Sequence, residues 1–273
     1  MFTFVEAISL AGDRAKQNDD ALGHAHGRAW VIDGATDLQD KKFTGAASDA
    51  AWIAHFANAR FHAAAGALRD MVRDASEAAA AAFARNAGGV PEKWMSPIAS
   101  LLMAEETSDG VAGLYLGDCR MFALDAGGAE FEAGPPVEVA DAEAKLAAQQ
   151  QDADKPLLRR ESTIAMLRQM RGELNGPNRS WTFGLDPACA DHARAWSLKL
   201  KRPAHVLLMT DGFSALTDRY GAYTKGGLVQ AALSKGLEDL GREIRAIENA
   251  DAGSKYPRFK KSDDATAVLM RLS

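Results

Sequence analysis

Aspartates recur in this chain wherever an apolar run ends. Val31-Ile32-Asp33-Gly34, Leu116-Gly117-Asp118, Leu207-Leu208-Met209-Thr210-Asp211-Gly212 and Asp263-Asp264 ahead of Ala265–Met270 share that pattern, and Asn18-Asp19-Asp20 adds a further acidic spot. Taken singly, an Asp-Gly pair after a strand is turn chemistry, because the carboxylate bonds the local backbone and glycine accepts positive φ. Together the pairs carry more information. If the strand ends meet, several carboxylates crowd into one place, and like charges at close range are tolerated only by proton uptake or by a cation. Oxygen-only, aspartate-rich clusters suit hard ions such as Mg²⁺ or Mn²⁺.

Other residue types offer less. Cys119 and Cys189 form no CxxC pair, and neither is followed by arginine at the spacing of a thiol-phosphatase loop. His24 and His26 make an HxH pair with no suitable third ligand nearby in sequence, so a solvated surface is the economical reading. Arg159-Arg160 and Lys260-Lys261 read as solvated basic pairs, with contact to a phosphopeptide as the alternative. Trp52, Phe56 and Phe61 are read most economically as helix core residues.

The elements that must position the aspartates follow from the hydrophobic pattern. Phe2–Leu10 and Gly23–Ile32 read as strands. Gly45 to Arg85 is alanine-rich and free of proline, which predicts two helices. Ile98–Met103, Val111–Leu116 and Met121–Leu124, separated by Ser108-Asp109-Gly110 and Gly117-Asp118, have the punctuation of a meander of hairpins. Asp141–Gln151 and Leu157–Leu174 have helical propensity inside a polar segment. Trp181–Phe183, Ala195–Leu200 and His205–Met209 return to strand composition, Gly226–Asn249 reads as helix, and Ala265–Leu272 as a last strand. Strands in sequential runs with grouped helices predict an α+β fold with antiparallel sheets instead of alternating βαβ units.

The chain has 273 residues, 47% hydrophobic and 25% charged, enough for one compact domain over 1–273 carrying a helical, flap-like insertion at about 134–178. A net charge of −5 argues against a nucleic-acid or anionic-lipid partner. Two cysteines and no leader-like or membrane-spanning run place the expectation in the cytoplasm.

Five segments in order resemble the metal-dependent PP2C-type (PPM) serine/threonine protein phosphatases. Arg14–Ala21 (RAKQNDDA) is similar to the family's first acidic motif, Val31–Gly34 to its VxDG element, and Gly117–Arg120 (GDCR) to its GDSR element. Leu207–Gly212 (LLMTDG) resembles LLxSDG, and Asp263–Val268 (DDATAV) resembles DNxTxV. The resemblance implies a four-layer αββα sandwich of two antiparallel sheets flanked by helix pairs. It implies two Mg²⁺ or Mn²⁺ ions, with Asp33 bridging them, the Gly34 carbonyl joining one, Asp211 and Asp263 holding the other, Asp19 in the place of the first motif's acidic ligand and Asp20 beside it. Asp118 would correspond to the aspartate of a third, weaker site. The implied reaction is hydrolysis of phosphoserine or phosphothreonine in a phosphoprotein by metal-activated water. The chain departs from the pattern in three places. The phosphate-binding arginine belongs four positions before Asp19, where Ala15 stands, so Arg14, or Lys16, is the candidate. Ala35-Thr36-Asp37 follows Asp33-Gly34, which removes a histidine general acid. Gly134-Pro135-Pro136-Val137-Glu138 replaces the family's segment after the central strands. These departures keep two rivals open: a catalytically weak phosphoprotein-binding or regulatory module, and a phosphatase of small phosphoesters.

Overall fold

The computed structural model describes residues 1–88, 92–136, 161–251 and 255–273. In chain order its elements are β1 (Phe2–Leu10), β2 (Asp20–Ala25), β3 (Arg28–Gly34), α1 (Asp49–Ala63), α2 (Leu68–Ala87), β4 (Ala99–Glu106), β5 (Gly110–Leu116), β6 (Arg120–Leu124) and β7 (Glu130–Ala133). There follow α3 (Glu161–Glu173), α4 (Cys189–His192), β8 (Arg194–Lys199), β9 (Ala204–Met209), α5 (Asp211–Asp218), α6 (Lys225–Ala250) and β10 (Ala265–Leu272). One antiparallel sheet has the order β1-β10-β9-β6-β7 and the other β2-β3-β4-β5-β8.

The strands alternate, yet both faces are buried. Trp30, Ile32, Leu101 and Met103 pack under α1 and α2 with Ile53, Phe61 and Val72. Their neighbours Ala29, Val31, Leu102 and Ala104 face Val206, Leu208, Val268 and Met270 across the space between the sheets. On the far side Leu207, Met209, Ala267 and Leu269 pack under Phe213, Leu228, Leu240 and Ile244 of α5 and α6. This is a four-layer α/β/β/α sandwich, and apolar side chains on successive residues are what its inner strands require.

Several local expectations need correction. Gly23–Ile32 is two strands, because His26 (φ 51°) and Gly27 (φ 72°) make the paired positive-φ turn of a tight hairpin between β2 and β3. The central strands are not one meander. β4 and β5 pair, but β6 joins β7 and β9 in the other sheet, so Gly117-Asp118 carries the chain from one sheet to the other. Trp181–Phe183 contributes a single bridge, Phe183 to Ala99, and no full strand. The segment after Leu207–Thr210 turns at once into helix α5. Of the insertion, the helix expected at Leu157–Leu174 is seen as α3, while Asp141–Gln151 lies outside the described residues. Among the described residues no helix is long and apolar enough to cross a membrane.

Candidate metal centre

Antiparallel order decides where the aspartates go. Asp20 opens β2 opposite Asp33 near the end of β3, and Asp33 lies opposite Ser100 at the start of β4. Leu116, which ends β5, pairs with Leu101 and leads into Gly117-Asp118. In the other sheet β9 runs out into Thr210-Asp211, next to the point where Asp263-Asp264 lead into β10. The acidic ends of five strands therefore meet at one edge of the sandwich.

Close backbone approach holds that edge together. A Cβ on Gly34 would stand 2.5 Å from the Ala50 carbonyl oxygen and 2.6 Å from that of Asp19, so only glycine lets β2, β3 and the start of α1 converge. The Gly34 N–H donates to the Asp19 carbonyl at 3.1 Å. Ser48 caps α1 by accepting from the Ala51 N–H at 2.8 Å, and its hydroxyl donates to Asp19 Oδ1 at 2.5 Å. Asp264 is consumed by backbone, accepting from the N–H groups of Gly12 at 2.7 Å and Asp19 at 2.6 Å. Asp118 accepts from Ser100 Oγ at 2.6 Å.

The electrostatics of the cluster are those of charge held against its preference. Burial, then the charges of Asp20, Asp211, Asp118 and Asp263, raise the Asp33 carboxyl well above the usual range. Burial likewise raises Asp20, whose Oδ2 accepts from Thr210 Oγ1 at 2.9 Å and whose buried Oδ1 has no hydrogen-bond partner. Asp19 is raised by burial against the hydrogen bond from Ser48. Asp263 runs the other way. Burial pushes it up, but Lys260, with Nζ 2.8 Å from Oδ1, holds it below the ordinary value, helped by Arg219.

Asp33, Gly34, Asp118, Asp211, Asp263 and Lys260 line one end of a cavity of about 1200 Å³. Arg14 is not among its lining residues. It sits exposed on the turn at residues 13–16, closed by the Lys16 N–H on the Asp13 carbonyl at 3.0 Å, and Lys16 is exposed beside it. The cations that do line the cavity include Arg171 of α3 and Lys260. Lys260 was visible in the sequence as half of a basic pair three residues before Asp263. Ser48, Ser100 and Arg171 carried no such signal, since each is defined by a partner distant in sequence.

Among the described residues, no three of these side chains already surround one ion position. The donor set nevertheless fits hard dications. It is all oxygen, Asp20 Oδ1 is an unpartnered buried carboxylate oxygen, and Asp33 is ringed by four like charges that a cation would neutralise.

Such a sandwich with carboxylates gathered at one sheet edge defines a class, and comparison supplies the family. The chain belongs to the protein phosphatase 2C family, whose model matches residues 13–243. In fold it is similar to the serine/threonine phosphatase PstP/Ppp of Mycobacterium tuberculosis, with a TM-score of 0.57 at 14% identity over 100% of this chain and 99% of that one. PppA of Pseudomonas aeruginosa, described as a key regulatory component of T6SS, gives 0.57 at 14% identity, covering 99% of this chain and 97% of its own. A PstP catalytic domain in complex with two manganese ions gives 0.55 at 14%, covering 99% of each chain. No curated protein sequence matches the chain.

Proposed function

We propose that the chain is a metal-dependent phosphatase that hydrolyses phosphoserine or phosphothreonine in a cytoplasmic phosphoprotein. The observation that carries the reading is the convergence of Asp33, Asp118, Asp211 and Asp263 on one cavity edge, with the buried Asp20 paired across from Asp33 and Asp33 held far from its preferred ionisation.

In this reading Asp19, Asp20, Asp33 and the Gly34 carbonyl would hold one Mg²⁺ or Mn²⁺, Asp33, Asp211 and Asp263 a second, and Asp118 a weaker third. Bound there, the ions supply Lewis acidity toward a phosphate oxygen and acidify water. The chain's own part is positional. Ser48 fixes the Asp19 carboxylate, Ser100 that of Asp118, and Asp264 pins the loop that presents Asp19. Lys260 holds one oxygen of Asp263, Oδ1, and would compete with an ion for that carboxylate's charge. Covalent catalysis by thiol finds no support: Cys119 is fully buried and its thiol pushed up by burial, and Cys189 is pushed up to about 11 for the same reason.

The Lys260–Asp263 ion pair favours one alternative, a regulatory module whose ligand site is satisfied internally. The deciding experiment is turnover of a phosphothreonine peptide and of p-nitrophenyl phosphate with Mn²⁺, with Mg²⁺ and in EDTA. Metal-dependent turnover that disappears in Asp211→Asn supports the phosphatase. Saturable Mn²⁺ binding without any turnover supports the module.

A further inference from the structure

We infer that Arg171 is the residue that grips the substrate phosphate, in the place that the exposed Arg14 leaves unserved. The inference rests on the phosphatase reading and names the group that completes its site. A guanidinium removed from water is costly unless an anion meets it. Arg171 is half-buried, its guanidinium partly withdrawn from water. It projects from α3 into the cavity that Asp33, Asp118, Asp211 and Asp263 also line. Burial lowers its pKa to about 10, so it remains charged near neutrality, and among the described residues it pairs with no carboxylate.

Of its donors one is committed, Nη1 to the Thr36 carbonyl at 2.8 Å, three residues beyond Asp33. Arginine has five, in a planar fork that matches phosphate oxygens. The carboxylate that acts on it, Asp37, is already engaged by Lys42 Nζ at 2.7 Å and by the N–H groups of Asp49 at 2.9 Å and Ala50 at 3.2 Å. The other cavity cations are less suited. Lys260 is held by Asp263, Arg179 by Glu173 at 2.7 Å, and Arg194 is exposed to solvent.

Arg168, one turn earlier on α3, supplies the control. Its Nε and Nη2 donate to the Leu38 carbonyl at 3.0 and 2.7 Å and its guanidinium lies over the Trp94 ring at 4.4 Å. It clamps α3 to the same loop but does not line the cavity.

The test measures KM for a phosphothreonine peptide and competitive inhibition by inorganic phosphate, in Mn²⁺, for wild type, R171M, R171K and R168M, with thermal unfolding of each. Charged hydrogen bonds of this kind predict about a ten-fold or greater rise in KM and in the phosphate inhibition constant for R171M. R171K should fall between, as a point charge replaces a fork. R168M should lower the unfolding temperature and leave phosphate inhibition at the wild-type value. Wild-type phosphate inhibition in R171M overturns the inference, as does an equal weakening in R168M, which would show that Arg171 only docks the helix. A wild-type chain without turnover in any metal would overturn the phosphatase reading and this inference with it.

Discussion

Asp33→Asn removes the charge at the centre of the cluster while keeping the side chain's shape, and it should make the metal-free protein more stable. The Asp33 carboxyl is raised in the folded chain by burial and then by Asp20, Asp211, Asp118 and Asp263. A native pKa above the unfolded one means that the native state holds a proton the unfolded state gives up. That stability is complete below about pH 4 and is lost as pH rises through the raised value. Asp20 and Asp33 are direct cross-strand partners, whose Cβ atoms stand about 5.5 Å apart, and this sets the scale of the separation of their charges. At an effective dielectric of about 20 the repulsion is about 3 kcal/mol. An unfolding entropy of about 2.1 cal/mol/K per residue, taken over 273 residues, converts this into a rise of about 5 °C in Tm. Thermal unfolding followed by circular dichroism in EDTA should show that rise at pH 8 and its disappearance toward pH 4. With Mn²⁺ the order should reverse, because only the wild type gains binding free energy. A variant no more stable than wild type in EDTA at pH 8 would refute the claim that the carboxylates strain the metal-free fold.

Two further substitutions probe the edge. Gly34→Ala drives a methyl into two backbone carbonyls that no side-chain rotation can move aside; a loss of about 1–3 kcal/mol follows, and an unchanged Tm would contradict the close approach of β3 to α1. Lys260→Met removes the ammonium from Asp263, so calorimetry should show Mn²⁺ binding several-fold tighter, whereas equal or weaker binding would deny Lys260 its role as resident counter-ion.

The layers of the fold were legible because inner strands carry apolar residues on both faces, as in Ala29-Trp30-Val31-Ile32, and because the alanine-rich, proline-free run from Gly45 to Arg85 declares α1 and α2. The acidic ends were legible for the same reason: each carboxylate follows or precedes such a run. What local pattern did not encode was which strands pair. Gly117-Asp118 has the composition of a hairpin turn, and only the pairing of β6 with β9 makes it a crossing between sheets. The hairpin at His26-Gly27 was hidden because it lacks the Asn-Gly or Asp-Gly pair that usually marks such a turn. Arg14, placed by its motif, lies on an exposed turn outside the cavity lining, while α3 brings Arg171 to the cavity from far along the chain.

The central claim, that these aspartates form a centre for divalent ions, is tested most directly by titrating Mn²⁺ into EDTA-stripped protein in a calorimeter, in two buffers of different ionisation enthalpy. The account predicts saturable binding of two ions, with protons released from the raised carboxyls of Asp20 and Asp33, and its loss in Asp33→Asn. Absence of saturable binding, or binding that Asp33→Asn leaves unchanged, would contradict it.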